Sequence, residues 1–416
     1  PHDELRRQRQ MCIRDSVTGD SAQIDRAVDA MLAARKPVFY VGGGVILASA
    51  CEHLRDLVRT LGAPVASTLM GLGAFPGTDP LSLGMLGMHG TYEANMAMDG
   101  ADLVIALGAR FDDRVTNNPD KFSPKATIIH MDIDAASINK IIDADIPLLG
   151  DGAWVLEQLS TRLTQALKSQ QKSALKDREE GLKSWWQQLE DWRVENGLNH
   201  NLQAQADKPI LPQLAIQSLY KVTGGDAFVC SDVGQHQMFA AQYYHFDEPR
   251  RWINSGGLGT MGFGLPSAMG VQMGNPGATV TCVTGEGSFM MNMQELSTCL
   301  QYGLPIKIIN LNNQALGMVK QWQDMQYGGR HSQSTYSDSL PDFKTLIEAF
   351  GHVGIKVVDA TKLDAAMEEA FSEANRNRLV FVDVWVDPHE HVYPMAIKGG
   401  AMRDMVLSKT TAAESS

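Results

Sequence analysis

Apolar positions along the chain alternate between short β-branched runs and longer stretches with helical spacing. One stretch shows the pattern most fully: Thr279–Thr284 is a β-branched run, Ser288–Tyr302 is apolar near helical spacing, and Ile306–Leu311 is apolar again. A crossover of that length makes the two strands parallel neighbours. The pattern predicts that Gly285–Gly287 and Asn312–Asn313 lie side by side at the carboxyl ends of their strands, where open α/β sheets bind ligands.

These two turns carry the residue types that a metal-bridged diphosphate needs. The carboxylate of Glu286 and the amide oxygen of Asn313 are hard ligands suited to Mg²⁺, which also takes phosphate oxygens. The glycines let backbone N–H groups approach a phosphate, and a helix beginning at Ser288 would point its positive end toward it. An ordinary strand-to-helix turn is the alternative for the glycines alone. Two unbonded asparagines ending a buried strand would each cost roughly 1–3 kcal/mol, which favours a site.

The same alternation in the first half predicts strands at Val38–Val41, Val65–Thr68, Leu103–Leu107 and Thr127–Met131, separated by helical segments. Strands and helices that alternate at this spacing are typical of an α/β fold with a doubly wound parallel sheet. A second unit of the same kind begins at Pro209, so the fold class is α/β with two such domains.

The domain limits follow from changes in composition. Residues 1–16 have no periodic face and are interpreted as a non-native or disordered leader. We expect a first domain at residues 17–190, a linker at 191–208, a second domain at 209–390 and a C-terminal tail at 391–416. The polar helical stretch from Gly152 to about Leu198, which extends into this linker, carries three tryptophans and is interpreted as a solvated helix packed on its domain.

Three features of the first domain are typical of a nucleotide site. Gly42–Gly44 follows one predicted strand, Arg110–Arg114 follows another and Asp132 follows a third. Arginines can hold a pyrophosphate bidentately, and an acidic residue at a strand end can accept ribose hydroxyls. Plain turns with surface ion pairs are the alternative for each feature separately. Together the three favour a dinucleotide, although no GxGxxG fingerprint is present.

Composition limits the partners and the compartment. The 416 residues are 44% hydrophobic and 20% charged, with a net charge of −12, which argues against nucleic acid or an anionic membrane as the main partner. The five cysteines (Cys12, Cys51, Cys230, Cys282 and Cys299) are scattered without a CxxC motif. This usage is typical of a reducing compartment. With no apolar run near the roughly 18 residues of a membrane span, the expected location is the cytoplasm.

Two residues of the second domain are open to two interpretations. His236 follows a predicted strand and is a candidate general acid or base, but a histidine at that place is also a common structural residue. Met261 lies in the glycine-dense turn Ser255–Gly262, which costs backbone entropy unless something flat approaches it closely. Filling a gap in the core is the alternative role for this methionine.

Residues 17–410 resemble the catalytic large subunits of the acetolactate synthase (acetohydroxyacid synthase) family, particularly the bacterial biosynthetic type. The matching segments are SGGLGTMGFGLP, TGEGSFMMNMQELSTCLQYGLP, LNNQALGMVKQWQDM, LGMHG, GARFDDRVT and EHVYPM. Members have an N-terminal pyrimidine-binding, a central FAD-binding and a C-terminal thiamin-diphosphate-binding domain, of which the resemblance covers the last two. The family motif reads Gly-Asp-Gly, so Glu286 departs from it by one methylene.

The resemblance implies thiamin diphosphate, Mg²⁺ and FAD as cofactors. The metal ligands would be Glu286, Asn313 and the backbone carbonyl of Ala315. Met261 would be the wedge that holds the bent cofactor. The thiamin-diphosphate residues implied in this way are Val233, Gly234, Gln235, His236, Gly259, Met261, Gly285, Glu286, Gly287, Ser288, Asn313, Ala315, Leu316, Gly317 and Met318.

FAD, which is structural in this family, would lie in the first domain. Trp322 matches the tryptophan that shapes the pocket of the second substrate. The implied FAD contacts are Gly42, Gly43, Gly44, Thr68, Leu69, Leu86, Gly87, Met88, His89, Gly108, Arg110, Asp112, Arg114, Val115, Asp132, Ile133, Gly150 and Asp151.

The implied activity is decarboxylation of pyruvate and carboligation to a second 2-keto acid, pyruvate or 2-ketobutyrate, in branched-chain amino-acid synthesis. The implied partners are further catalytic chains, in a dimer or tetramer, and a small regulatory subunit. The family's catalytic glutamate belongs to the N-terminal domain, so no catalytic residue is assigned with certainty and we expect this chain to be inactive alone. The alternatives are another thiamin-diphosphate enzyme, of the pyruvate oxidase or glyoxylate carboligase type, and a non-catalytic cofactor-binding fragment.

Overall fold

The computed structural model describes residues 19–408. The described chain divides into two compact units, one formed by residues 19–197 with 394–405 and the other by 198–393 with 406–408. The predicted leader and the last eight residues of the predicted tail lie outside the described residues. The predicted domain limits themselves stay a prediction.

The first unit is built on a parallel sheet. Six strands pair in the order β3-β2-β1-β4-β5-β6, and every pairing is parallel. This confirms the predicted doubly wound sheet, and the strand order reverses between β1 and β4, where such sheets open a crevice. The strands are β1 (Pro37–Val41), β2 (Val65–Ser67), β3 (Ser82–Met85), β4 (Leu103–Leu107), β5 (Thr127–Asp132) and β6 (Ile146–Leu149).

Helices cover both faces of this sheet. The first begins after Asp20, whose carboxylate accepts from the N–H of Ala22, and it buries Ile24, Val28 and Met31 at helical spacing. Apolar clusters on the two faces of the sheet form the core. The helices are Ser21–Ala33, Gly43–Leu47, Cys51–Leu61, Tyr92–Gly100, Asp113–Thr116, Gly152–Ser169 and Lys172–Asn196, with 3₁₀ turns at Leu69–Gly71 and Pro119–Lys121.

The tryptophans of helix Lys172–Asn196 attach it to the first unit. The ring of Trp185 is 1% exposed, and its Nε1 donates to the carbonyl of Pro37 at 3.1 Å. Trp186 donates to the carbonyl of Gly62 at 2.9 Å, and Trp192 packs edge-on against Trp185. These contacts confirm a helix packed on its own domain. The helix includes residues 191–196, which were predicted as the start of the linker.

The second unit holds another parallel sheet of six strands, in the order β11-β12-β10-β9-β7-β8. Cys230 and Cys282 face each other in register on β7 and β9, and both are buried. Its strands are β7 (Phe228–Ser231), β8 (Trp252–Asn254), β9 (Val280–Thr284), β10 (Lys307–Asn312), β11 (Val353–Val357) and β12 (Val380–Trp385). Two further short strands, β13 (Met395–Ala396) and β14 (Met405–Val406), pair with each other.

The helix predicted at Ser288–Tyr302 is wrong in one respect, because the structure divides it in two. A short helix, Glu286–Phe289, is followed by a turn and then by helix Glu295–Tyr302. The break lies at Asn292, whose side chain donates to the carbonyl of Gly262 at 2.6 Å. A side chain that bonds elsewhere competes with a continuous helix, and this one ties the turn to the glycine-rich loop.

The remaining helices of the second unit lie between the strands. Among the described helices of the whole chain, none has both the length and the apolar character that a membrane span needs. The helices are Pro212–Thr223, Gln235–Tyr243, Gly264–Gly274, Gly317–Gln326, Phe343–Ala349 and Leu363–Ala370, with 3₁₀ turns at Ser337–Ser339, Ala360–Lys362 and Glu373–Asn375.

Candidate functional site

A cleft lies at the carboxyl ends of β7, β9 and β10 in the second unit. The turns that follow these strands supply most of its lining. All the residues that the resemblance assigns to thiamin diphosphate line it except Gly259, which is exposed on the glycine-rich loop. Trp322 also lies outside the lining, half-buried on helix Gly317–Gln326.

Two oxygens of the predicted metal site meet on a single backbone donor. The N–H of Ala315 donates to Oε1 of Glu286 at 2.8 Å and to Oδ1 of Asn313 at 3.2 Å. These side chains come from neighbouring strand ends, as the sequence pattern predicts, because β9 and β10 pair in parallel register. An anionic and a neutral oxygen that converge in this way offer the hard ligands that Mg²⁺ prefers.

The electrostatics of Glu286 fit a bound cation. The residue is 1% exposed, and burial raises the pKa of its carboxyl to about 8. Backbone N–H groups oppose that rise and the Asp383 carboxylate adds to it, and none of these described groups is cationic. A buried carboxylate without a counter-charge is costly, and a divalent cation would remove that cost.

The shape of the loop after β10 depends on buried amides behind it. Asn312, the first asparagine of the pair, donates to Oδ1 of Asp383 at 3.1 Å and accepts from the N–H of Gln314. Gln314 has φ of 59°, a left-handed conformation that a non-glycine residue adopts only when its surroundings hold it. Asn312 therefore shapes the loop, whereas Asn313 faces the site.

Asp232 fixes the glycine-rich loop to the end of β7. Its carboxylate, 1% exposed, accepts from the N–H groups of Val233, Gly262 and Gly264 at 2.8–3.0 Å. This places Met261 in the cleft lining. Sequence reasoning missed this role of Asp232, since its partners in the glycine-rich loop, Gly262 and Gly264, are 30 and 32 residues away along the chain.

His236 is neutral near neutral pH. Burial lowers the pKa of its imidazole to about 4, against an opposing effect of Asp232. The ring packs so closely that a Cβ on Gly234 would lie 2.8 Å from its Cε1 and one on Gly285 2.9 Å from its Nδ1. Its Nε2 is buried and has no hydrogen-bond partner among residues 19–408. The arrangement suits an uncharged donor or acceptor in the cleft better than a cationic acid.

Two further residues at the cleft were not predicted from the sequence. Tyr336 lines it, and a Cβ on Gly287 would lie 2.6 Å from the Tyr336 hydroxyl, so a side chain at position 287 would have to displace this ring. Gln321 is completely buried and bonds to Gln235. A polar residue on the buried face of an otherwise amphipathic helix is the only sequence signal for Gln321, and Tyr336 has none.

The predicted FAD residues all lie at or just after the carboxyl ends of the six strands of the first unit. At the point where the strand order reverses, two loops touch: a Cβ on Gly42 would lie 2.2 Å from the carbonyl oxygen of Gly108, and Gly108 has φ of 58°. Successive strand ends carry Gly42, Gly43 and Gly44 (β1), Thr68 and Leu69 (β2), Leu86, Gly87, Met88 and His89 (β3), Gly108, Arg110, Asp112, Arg114 and Val115 (β4), Asp132 and Ile133 (β5), and Gly150 and Asp151 (β6).

The arginines among them and Asp112 lie at the surface. Arg110 pairs with Asp112 at 2.9 Å and Arg114 with Asp113 at 2.8 Å, and all four side chains are more than half exposed. The backbone around Arg114 is better fixed, because its carbonyl accepts from the N–H of Met88 at 2.7 Å. The arginine side chains are therefore accessible to an anionic ligand.

Both units match models of one enzyme class. Residues 24–159 match the central domain of thiamine pyrophosphate enzymes, and residues 232–384 match their C-terminal TPP-binding domain. The second match contains nearly all of the cleft lining. The chain therefore carries two domains of a thiamin-diphosphate enzyme.

Individual relatives are similar over nearly the whole chain. The acetolactate synthase isozyme 3 large subunit of Escherichia coli is 56% identical over 395 residues, 95% of this chain and 67% of the relative. The large subunit of Haemophilus influenzae is 53% identical over 95% of this chain and 66% of its own length. The acetolactate synthase large subunit of Corynebacterium glutamicum is 43% identical over 93% of this chain and 60% of its own length. The chain thus spans about two thirds of the length of these relatives, and it belongs to the acetolactate synthase large-subunit family.

Proposed function

We propose that the second unit binds thiamin diphosphate through Mg²⁺. The observation that carries this proposal is the convergence of the Glu286 and Asn313 oxygens on one N–H group inside the cleft. Glu286, Asn313 and the carbonyl of Ala315 would hold the cation, and the backbone at Gly287 and Ser288 would face the diphosphate. The other cleft residues that the resemblance assigns would contact the rest of the cofactor.

We propose further that the first unit binds FAD at its strand ends. The close approach of Gly42 and Gly44 to Gly108 supports this, since loops without side chains leave the backbone open to a pyrophosphate. Arg110 and Arg114 would pair with the phosphates, and Asp132 would accept from ribose hydroxyls.

The reaction proposed for the protein is decarboxylation of pyruvate and carboligation to a second 2-keto acid, as the names of the relatives imply. Thiamin diphosphate, when bound, supplies stabilisation of the carbanion that decarboxylation needs. The chain's own residues would hold the diphosphate end, support the cofactor with Met261 and keep a neutral imidazole at His236 in the cleft. Trp322, one helical turn beyond the lining, would shape the pocket of the second substrate.

The test compares cofactor binding with product formation. Calorimetric titration of thiamin diphosphate should show binding that requires Mg²⁺, and acetolactate should form from pyruvate in the protein as its cells produce it. Binding that is indifferent to Mg²⁺ would contradict the metal-bridged site. Cofactor binding without acetolactate, with all domains of the native protein present, would contradict the reaction.

The wider assignments are proposals of the same standing. The relatives are named as large subunits, so we propose that this chain assembles with copies of itself and with a small regulatory subunit. A cytoplasmic location and a role in branched-chain amino-acid synthesis follow from the same resemblance. Sedimentation of the purified protein with and without a candidate small subunit tests the assembly.

A further inference from the structure

Gln321 lies at the end of a line of side-chain amides that leads to the proposed metal site. It is completely buried on helix Gly317–Gln326. Its Oε1 accepts from the N–H of Val392 at 2.9 Å, and its Nε2 donates to the carbonyl of Val392 at 3.2 Å. The same Oε1 also accepts from Nε2 of Gln235 at 2.8 Å.

The line continues from Gln235 to Asn313. Gln235 is 5% exposed, and its Nε2 also donates to the carbonyl of Glu390 at 3.3 Å. Its Oε1 accepts from Nδ2 of Asn313 at 3.0 Å. Oδ1 of Asn313 is thereby left for the N–H of Ala315, the same donor that Glu286 uses.

The backbone of Val392 sets the direction of Gln321, and this direction agrees with the one that the Glu390 carbonyl favours for Gln235 and the Ala315 N–H favours for Asn313. A side-chain amide can turn over and exchange its oxygen and nitrogen, whereas a backbone N–H can only donate and a carbonyl can only accept. Val392 therefore fixes which end of Gln321 is oxygen, and Gln321 fixes Gln235 in turn. Gln235 then requires the nitrogen of Asn313. The orientation of Asn313 matters because only its oxygen can bind a cation.

Gly317 shows how tightly the line is enclosed. A Cβ at this position would lie 2.2 Å from Oε1 of Gln235 and 2.3 Å from Nδ2 of Asn313. Any side chain there would displace the hydrogen bond between the two amides. The absence of a side chain at Gly317 therefore leaves room for the hydrogen bond between Gln235 and Asn313.

We propose that Gln321 is a positioning residue, which acts through Gln235 to hold the oxygen of Asn313 toward the metal. The inference rests on the proposed Mg²⁺ site. Gln321 would not touch the cation itself. Groups that orient a ligand from behind typically change metal affinity by about 10- to 100-fold when they are replaced.

The test uses Mn²⁺ as a spectroscopic substitute for Mg²⁺, titrated by electron paramagnetic resonance at saturating thiamin diphosphate. Gln321→Met removes both amide atoms at similar length, and Mn²⁺ should bind about 10-fold more weakly. Gln321→Glu is protonated at this buried position, so it keeps an acceptor for Gln235 and a donor for the carbonyl of Val392, and its Mn²⁺ affinity should stay within about 2-fold of the wild type. Gln323→Met is the matched control, because this glutamine lies on the same helix but bonds to Ser332 and Ser334. Its Mn²⁺ affinity should also stay within about 2-fold of the wild type.

Each outcome of the Mn²⁺ titration supports or contradicts the positioning role of Gln321. Equal affinity of Gln321→Met and the control would overturn the inference, and a Gln321→Glu variant as weak as Gln321→Met would assign the effect to packing instead. A wild-type protein without saturable Mn²⁺ binding would contradict the proposed metal site itself, and the inference with it. Should Gln321→Met fail to fold by circular dichroism, Gln321→Asn shortens the amide by one methylene and should show the same weakening.

Discussion

The two sheets of this protein present their candidate residues in opposite ways. In the first unit the arginines at the strand ends are exposed, and Arg110 pairs with its near neighbour Asp112. In the second unit Glu286 and Gln321 are buried and bonded to groups from other loops. Both proposed sites use the carboxyl ends of parallel strands, but the first offers backbone and exposed side chains whereas the second offers an orientated polar network.

This difference indicates what each of the two proposed ligands, FAD and metal-bound thiamin diphosphate, requires of its binding site. A structural dinucleotide needs close backbone approach and charge, which glycine loops and surface arginines supply. A metal-bridged cofactor needs oxygens at fixed places, which requires partners behind each ligand. Substitutions should therefore act differently in the two units.

The largest effect is expected for Glu286→Gln. Glu286 is the only anionic ligand in the proposed protein set, so its loss leaves the cation with neutral protein oxygens beside the diphosphate. Mn²⁺ affinity at saturating thiamin diphosphate should therefore fall by roughly 100-fold or more. Glu348→Gln, an exposed position in the same unit, is the control. Mn²⁺ binding by Glu286→Gln as tight as that of the wild type would contradict the role of this carboxylate as a metal ligand.

Gly108→Ala should have the next largest effect and act on the first unit. A Cβ there would lie 2.7 Å from Cα of Gly44 on a backbone with φ of 58°, so we expect a loss of about 2–3 kcal/mol in the free energy of unfolding, together with weaker FAD binding. Thermal melting and FAD fluorescence titration measure both. Gly181→Ala in a helix, where the new Cβ stays 3.5 Å from Arg35, should instead stabilise by about 0.5–1 kcal/mol.

Acid should destabilise the cofactor-free second unit through His236. The pKa of the folded state, about 4, lies below the ordinary value of 6.5, so stability is present above pH 6.5 and is lost as the pH falls toward 4. The contribution is on the order of 1–3 kcal/mol. Urea unfolding measures how much the free energy of unfolding falls between pH 7 and pH 4.5. This fall should be smaller for His236→Gln than for the wild type, whereas the exposed His389→Gln should show the same fall as the wild type.

The smallest effect on folding is expected for Arg110→Met. Its ion pair is exposed, so the free energy of unfolding should change by less than about 0.5 kcal/mol. FAD affinity should nevertheless fall by about 10-fold and depend less on salt, because a charge-assisted bond to phosphate is lost. Arg59→Met, another exposed arginine of this unit, should leave FAD affinity unchanged. Equal FAD affinities for the two variants would contradict a phosphate contact at Arg110.

Sequence reasoning predicted local features well and distant ones poorly. The strand Leu103–Leu107 was predicted residue for residue, and the meeting of Glu286 with Asn313 followed from one crossover between neighbouring strands. The helix over Ser288–Tyr302 was predicted as continuous because periodicity does not reveal that Asn292 bonds to Gly262. Gln321 was missed because its partners Gln235 and Val392 are 86 and 71 positions away.

The sequence by itself determined the alternation of strands and helices, and hence two parallel sheets with glycine-rich turns at their carboxyl ends, since periodicity and crossover length are local properties. It also determined the residue types available to a metal and a diphosphate. Only the tertiary structure decided which side chains face these turns and which way each amide points. Orientation depends on buried partners from distant segments, as Val392 shows for Asn313, and no pattern along the chain encodes that contact.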